Sequence, residues 1–230
     1  MRELRPGQRC EVWLASVSGE RQLLYSGGNM LLEAPNWTVD GRALILNGAG
    51  RLWRLDLAGR SLTEIALTGA PDLNNDHVLD PDGRDIFLSC DDGQIYRAPL
   101  AGGQVTRITH DNGSAHFVHG LSPDGGRLAY VGLPAGDFTR PGRLGTISSA
   151  GGASRAVEVG EGHCDGPEYS PDGGWLYLNT ESFSATSGHA QLARVRPDTW
   201  PLFGGQGTLN VNSWSPDSQH FAFVAYPLDA

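Results

Sequence analysis

A chain of 230 residues, 39% hydrophobic and 19% charged, is the size of one large domain or two small ones and carries no low-complexity bias. Its 32 Gly and 14 Pro imply many turns and many short elements, which argues against a helical bundle. A net charge of −9 and a pI near 5.1 oppose binding to nucleic-acid phosphates or anionic lipid, and apolar runs such as Leu44-Ile45-Leu46 fall far short of the roughly 20 residues that span a bilayer.

From Met1 to Cys10 the chain has arginines but no apolar stretch behind them, so the expectation is a cytoplasmic protein without a secretory signal or membrane insertion. Cys10, Cys90 and Cys164 are odd in number and far apart, which predicts reduced thiols rather than a disulfide framework. The sequons at Asn36 and Asn112 carry no weight in that compartment. The first predicted elements are two strands, Glu11 to Ala15 and Arg21 to Tyr25, joined by a turn at Ser18-Gly19.

A short phrase then recurs: Val39-Asp40-Gly41, Asp80-Pro81-Asp82-Gly83, Ser122-Pro123-Asp124-Gly125, Ser170-Pro171-Asp172-Gly173 and Ser215-Pro216-Asp217-Ser218. Measured between the aspartates, the intervals are 42, 42, 48 and 45 residues, the length of one propeller blade. Pro fixes φ, Asp bonds nearby backbone N–H groups and Gly accepts positive φ, so each phrase is a tight turn, and the anchor aspartates belong to turns rather than to a catalytic set.

Three residues before each anchor stands a large apolar side chain: Trp37, Leu79, Leu121, Tyr169 and Trp214. Four and six residues after it stand Leu44 and Leu46, Ile86 and Leu88, Leu128 and Tyr130, Leu176 and Leu178, Phe221 and Phe223. These are two strands with a buried face, and the expectation is that truncating Trp37 or Trp214 weakens the whole ring. A third strand follows at Leu52 to Leu55, Gln94 to Arg97 and Gln191 to Val195, and a fourth at Val105 to Ile108 behind Gly102-Gly103.

Four antiparallel strands per unit make an all-β fold, a β-propeller of five blades forming one domain over residues 1–230. The last unit stops after Phe221 to Val224 with two strands missing, and the N-terminal pair supplies them. Pairing the two ends closes the ring and removes exposed strand edges.

These phrases resemble the repeat of the TolB-like (PD40, WD40-like) β-propeller family. Asn74 to Val78, Phe117 to Gly120, Asp165 to Tyr169 and Phe203 to Val211 resemble blocks of a bacterial subgroup of small, stand-alone members, usually six-bladed. That subgroup carries a further anchor between those at Asp172 and Asp217; here one blade's worth is missing, with Glu181 to Ala190 at the joint. TolB proper adds a signal peptide and an N-terminal α/β domain, neither of which is present, so its periplasmic lipoprotein partner is not carried over.

The start of each inner strand breaks the repeat with unlike polar residues. Five before the anchor stand Pro35, His77, His119, Pro167 and Asn212; seven before stand Glu33, Asn75, Phe117, Asp165 and Asn210, with Asp76 and His163 alongside. Breaks in local consistency mark sites, so the candidate channel-mouth residues are Asn75, Asp76, His77, His119, His163, Asp165 and Asn212. Four readings stay open for them. They can bond backbone of the next blade; bind Zn or Mn through His77, His119 and Asp165 or Asp76; line a ligand pocket with Phe117 or Trp214 for sugar or peptide stacking; or place a histidine base beside a carboxylate, as a lyase requires.

Oligogalacturonate lyases are similar propellers with a metal held by His and Gln, but their clustered ligand motif is not found here. Cys164 and His163 are neighbours on an extended strand and point to opposite faces, so they make no nucleophilic pair. Asp91-Asp92-Gly93 is a hairpin turn rather than a calcium loop. The functional expectation is a non-enzymatic binding or scaffold module, with no required cofactor, that takes a protein, small molecule or saccharide at the channel mouth. The alternative is a metal-dependent carbohydrate-active enzyme of the lyase type.

Overall fold

The computed structural model describes residues 3–158, 163–170, 172–174, 176–181 and 213–228. The described strands fall into five blades. The first holds β3 (Leu32–Trp37), β4 (Ala43–Gly48), β5 (Arg51–Asp56) and β6 (Leu62–Ile65), hydrogen-bonded in that order and antiparallel throughout. The second holds β8 (Leu73–Leu79), β9 (Asp85–Cys90), β10 (Ile95–Pro99) and β12 (Thr106–Arg107); the third holds β13 (Ser114–Leu121), β14 (Arg127–Pro134), β15 (Arg143–Ser148) and β16 (Arg155–Ala156). The fourth shows β17 (His163–Tyr169) paired with β18 (Leu176–Glu181). Its expected third strand, Gln191 to Val195, and most of the joint from Glu181 to Ala190 lie outside the described residues.

The fifth blade joins the two ends of the chain as the sequence predicts. Strand β1 (Cys10–Ser16) lies between β19 (His220–Ala225) and β2 (Arg21–Gly27), with Glu11 opposite Ala225 and Ser16 opposite His220. This blade is a three-stranded sheet among the described residues, and a single bridge from Trp214 to Phe221 lies on the free side of β19. The Tyr226 hydroxyl donates to the Leu32 carbonyl at 2.7 Å and ties this blade to the first. The sequence did not show one further link: β7 (Leu67–Thr68) and β11 (Gly103–Gln104) pair parallel across the boundary of the first and second blades.

The anchor turns explain the recurring phrase. In four of them a hydroxyl two residues before the aspartate donates to its carboxylate at 2.6 Å: Thr38 to Asp40, Ser122 to Asp124, Ser170 to Asp172, Ser215 to Asp217. The same oxygen accepts the backbone N–H two residues on, from Arg42, Gly126, Gly174 and Gln219. These bonds to the charged form hold all four carboxyls below the usual carboxylate range. The next residue is left-handed: Gly41 at φ 68°, Gly83, Gly125 and Gly173 at 70°, and Ser218 at 59°. A non-glycine there is strained, so Ser218→Gly should raise stability by about 0.5–1 kcal/mol, read as an upward shift of the urea midpoint.

The second strands β4, β9, β14 and β19 are buried on both faces rather than one. Every residue of β4 is buried. Leu44 and Leu46 pack with Val12, Leu14 and Val224 of the closing blade, while Ile45 points the other way to join Ile86, Leu88 and Tyr96. In β9 the parity repeats: Phe87 joins Val118, Leu128 and Ile147 of the third blade. The core is thus a set of layers between blades, with β4 and β9 each supplying both of their neighbours.

Candidate functional site

Inner strands β3, β8, β13 and β17 each carry a bulge that ends four or five residues before the anchor. The extra residues fall between Glu33 and Asn36, Leu73 and His77, Val118 and Gly120, and Asp165 and Glu168. The backbone turns left-handed there at Ala34 (φ 52°) and Gly166 (φ 55°), both six residues before their anchors. One extra residue, as in β3, β13 and β17, breaks the two-residue period, so side chains before and after it no longer keep one alternation; β8 gains two and keeps it. Gly120 lies just past the third bulge, where a Cβ would stand 2.6 Å from the Pro167 carbonyl oxygen; its missing side chain lets β13 and β17 approach.

Past the bulges, a cavity of about 620 Å³ opens among the five inner segments, at the end of the ring that carries the anchor turns. Its wall takes Asn36, Trp37 and Val39 from the first blade, His77 to Pro81 from the second and His119 to Leu121 from the third. Gly166, Glu168 and Tyr169 come from the fourth, and Ser213 to Pro216 with Ser218 from the closing blade. All five apolar residues three before the anchors are in this wall. Trp37 is at the same time part of the core, and Leu79 and Leu121 pack against the core, so the expectation of a buried face fails at Trp214. Trp37 is buried, but Trp214 is 47% exposed at the rim against Phe221, with ring centroids 5.6 Å apart, and Val39 is exposed beside the cavity too.

The predicted residues divide. His77 and His119 line the cavity. Asn75 lies instead in a separate depression of about 350 Å³ with Glu33, Asn47 and Asp91, between the first two blades at the opposite end. Asp76 is buried, its backbone N–H donating to Asn74 Oδ1 at 2.7 Å and its carboxylate accepting Asn74 Nδ2 at 3.3 Å. His163 and Asp165 stand on β17, but their side chains, like Asn212 altogether, lie outside the described residues. Phe117 makes an edge contact with the exposed Phe138, centroids 5.9 Å apart, and is not in the cavity wall. Sequence reasoning missed Asn36, Glu168 and Ser213. Their shared signal was the place four before the anchor.

His77 is 1% exposed, and its ring meets the Ile45 backbone but no side-chain partner. Burial pulls its pKa down to about 4, against a weaker opposite pull from the Ile45 backbone. The imidazole is therefore neutral at pH 7. The unfolded chain protonates at a higher pH than the folded one, so this contribution is full above about pH 6.5 and is lost as pH falls towards 4. The shift is worth about 3 kcal/mol. The gap between urea midpoints at pH 7 and pH 4 should shrink in His77→Gln; what remains comes from His116, which burial also lowers, and from the anchor carboxyls, whose unfolded forms begin to protonate near pH 4.

Three further expectations concern reactive groups. Cys10, Cys90 and Cys164 are free and buried, and burial raises all three thiols, that of Cys10 to about 11. Asp91-Asp92-Gly93 closes the β9–β10 hairpin, with Gly93 at φ 77° and the Asp92 carboxylate accepting from the Gln94 N–H and the Tyr96 hydroxyl. Among the described residues no group of three or more His, Cys, Asp or Glu is placed to hold a metal, and no helix is long and apolar enough to cross a membrane.

No protein-family model matches the chain. An uncharacterized protein of Agrobacterium fabrum is 32% identical over 259 residues, covering 85% of each chain; that span exceeds the 230 residues here, so the relative carries positions that this chain lacks. A solved structure of a TolB candidate from Agrobacterium tumefaciens superposes with a TM-score of 0.77 at 28% identity, over 96% of this chain and 99% of that one. TolB of Acinetobacter baumannii (TM-score 0.60, 16% identity, 95% of this chain, 63% of that one) shares the fold. So does an oligogalacturonate lyase in complex with manganese (0.52, 15%, 79% and 62%).

Proposed function

We propose that this chain, which belongs to the TolB-like β-propeller family, is a non-enzymatic binding module that takes a small molecule or a segment of a protein partner into the central cavity. The observation that carries this reading is the wall itself. A concave mouth of about 620 Å³, ringed by five large apolar side chains and holding a few convergent polar groups, has the composition of a ligand pocket. His77 supports binding over catalysis. Its ring is bonded to neither a carboxylate nor a hydroxyl, and burial depresses its pKa below the range useful to a general base at neutral pH.

Ligand-observed NMR with a mixed library of neutral, cationic and anionic fragments tests the reading. Fragments should bind the wild type and lose at least about tenfold in affinity to Trp214→Ala, at an unchanged melting temperature because Trp214 stands at the rim. Hits indifferent to Trp214→Ala, or manganese-dependent cleavage of oligogalacturonate, would overturn it.

A further inference from the structure

What the cavity offers a partner is set by the accessible side chains of its wall. Trp214 and Val39 are about half exposed, Leu79, Leu121 and Tyr169 are half-buried, and Glu168 is exposed. The partner therefore meets an apolar, partly aromatic bowl with a carboxylate in its side. The π face of an indole and a carboxylate both attract positive charge, so a wall that presents the two together favours a cation and opposes an anion.

Charge is unevenly spread around this mouth. The Asp80 carboxylate faces Arg97 at 3.9 Å, Arg42 and Arg54 lie near Asp40, and Arg127 lies near Asp124 and Tyr169. The fourth and closing blades differ. Among the described residues Glu168 makes no ion pair, Asp172 has no arginine near it, and Asp217 has only His220. Asp172 and Asp217 each take a hydroxyl and a backbone N–H on one carboxylate oxygen, which keeps them ionised at neutral pH. Pro216 and Ser218 line the cavity on either side of Asp217, so that carboxylate stands at the rim three residues from Trp214. This sector is anionic and aromatic at once.

Resting on the binding-module reading above, we infer that the cavity takes an extended basic segment of a protein partner, its apolar side chains against Leu79, Leu121 and Tyr169 and an arginine or lysine over Trp214, within reach of Glu168 and Asp217. A net charge of −9 steers such a partner towards the chain, and the uncompensated sector tells it where to dock.

The test is calorimetry on the full chain with three capped hexapeptides, each of two leucines, two serines and either two arginines, two glutamines or two glutamates. The arginine peptide should bind with a Kd below about 1 mM and the glutamine peptide at least about tenfold more weakly, with no binding of the glutamate peptide. Glu168→Gln combined with Asp217→Asn should weaken the arginine peptide by about 3–10-fold. Asparagine keeps the oxygen that accepts from Ser215 and Gln219, so the turn survives the change. Glu64→Gln combined with Asp137→Asn makes the same change in net charge at exposed positions outside the wall, and should leave affinity within about twofold. Equal binding of the glutamine peptide, or equal weakening by the two pairs of substitutions, would overturn the inference. So would failure of the arginine peptide while fragments still bind in a Trp214-dependent way; the binding module would then stand with another ligand. Failure of peptides and fragments together would overturn both.

Discussion

Phe87→Ala should lower the unfolding free energy by about 3–5 kcal/mol, the cost of removing a fully buried aromatic side chain from a site that cannot collapse. Phe87 is 0% exposed in the second strand of its blade and carries the contact from the second blade to Val118, Leu128 and Ile147 of the third. Neighbouring strands are fixed by their own ladders, from Val78 opposite Phe87 to Phe87 opposite Arg97, so the backbone has little freedom to close the cavity. The outer side is stiffened too, with the Arg97 guanidinium 5.8 Å from the ring centroid and bonded to Asp85. Urea unfolding at pH 7 gives the number. A loss under about 1 kcal/mol would mean that these two blades do not depend on the layer between them.

Val224→Asp should be worse, leaving no cooperative folded monomer or costing more than about 4 kcal/mol. Val224 is 0% exposed on β19, opposite Val12, in the layer that includes Leu14, Leu44 and Leu46. A carboxylate there has only apolar neighbours in that layer, and its desolvation is uncompensated. The damage is not local. β19 joins the C-terminal half of the closing blade to β1, and losing that pairing exposes the edges of both strands to association with other chains. Val224→Ile is the control, since it keeps the apolar character. Size-exclusion chromatography with light scattering should show aggregate or expanded chain for the first variant and native elution for the second. A folded monomeric Val224→Asp would mean that the ring does not need this closure.

Much of the fold was legible because it rests on local chemistry that repeats. The turn phrase names its own hydrogen bonds: the Ser or Thr hydroxyl, the Asp carboxylate and the left-handed fourth residue occupy fixed offsets, and the structure places them as bonded neighbours in the copies at Asp40, Asp124, Asp172 and Asp217. The apolar pairs at Leu44 and Leu46 or Ile86 and Leu88 are strands because a period of two is a strand's period. The unmatched half-blades at the two ends specified their own pairing, seen in β1 and β19.

The site was only partly legible. Alternation tells which residues share a face, but not what that face meets. Trp37 and Trp214 follow the same rule in sequence, yet one is buried and the other is 47% exposed at the cavity rim. The bulges are the larger reason. The irregular stretch between Leu73 and His77 puts three residues opposite one, so Asn75 falls inside it and His77 after it, and the two end in depressions at opposite ends of the ring.

By itself, then, the sequence determined the repeat, the turn chemistry, the four strands of the first three blades and the joining of the two ends. Each of these depends on residues near in sequence, or on a count of strands left unpaired. The tertiary structure decided the double-sided burial of the second strands, the parallel link between β7 and β11, and the meeting of Trp37, His77 and Ser213 at one cavity. Those depend on how neighbouring blades pack and where the backbone bulges, which are long-range interactions that no local pattern encodes.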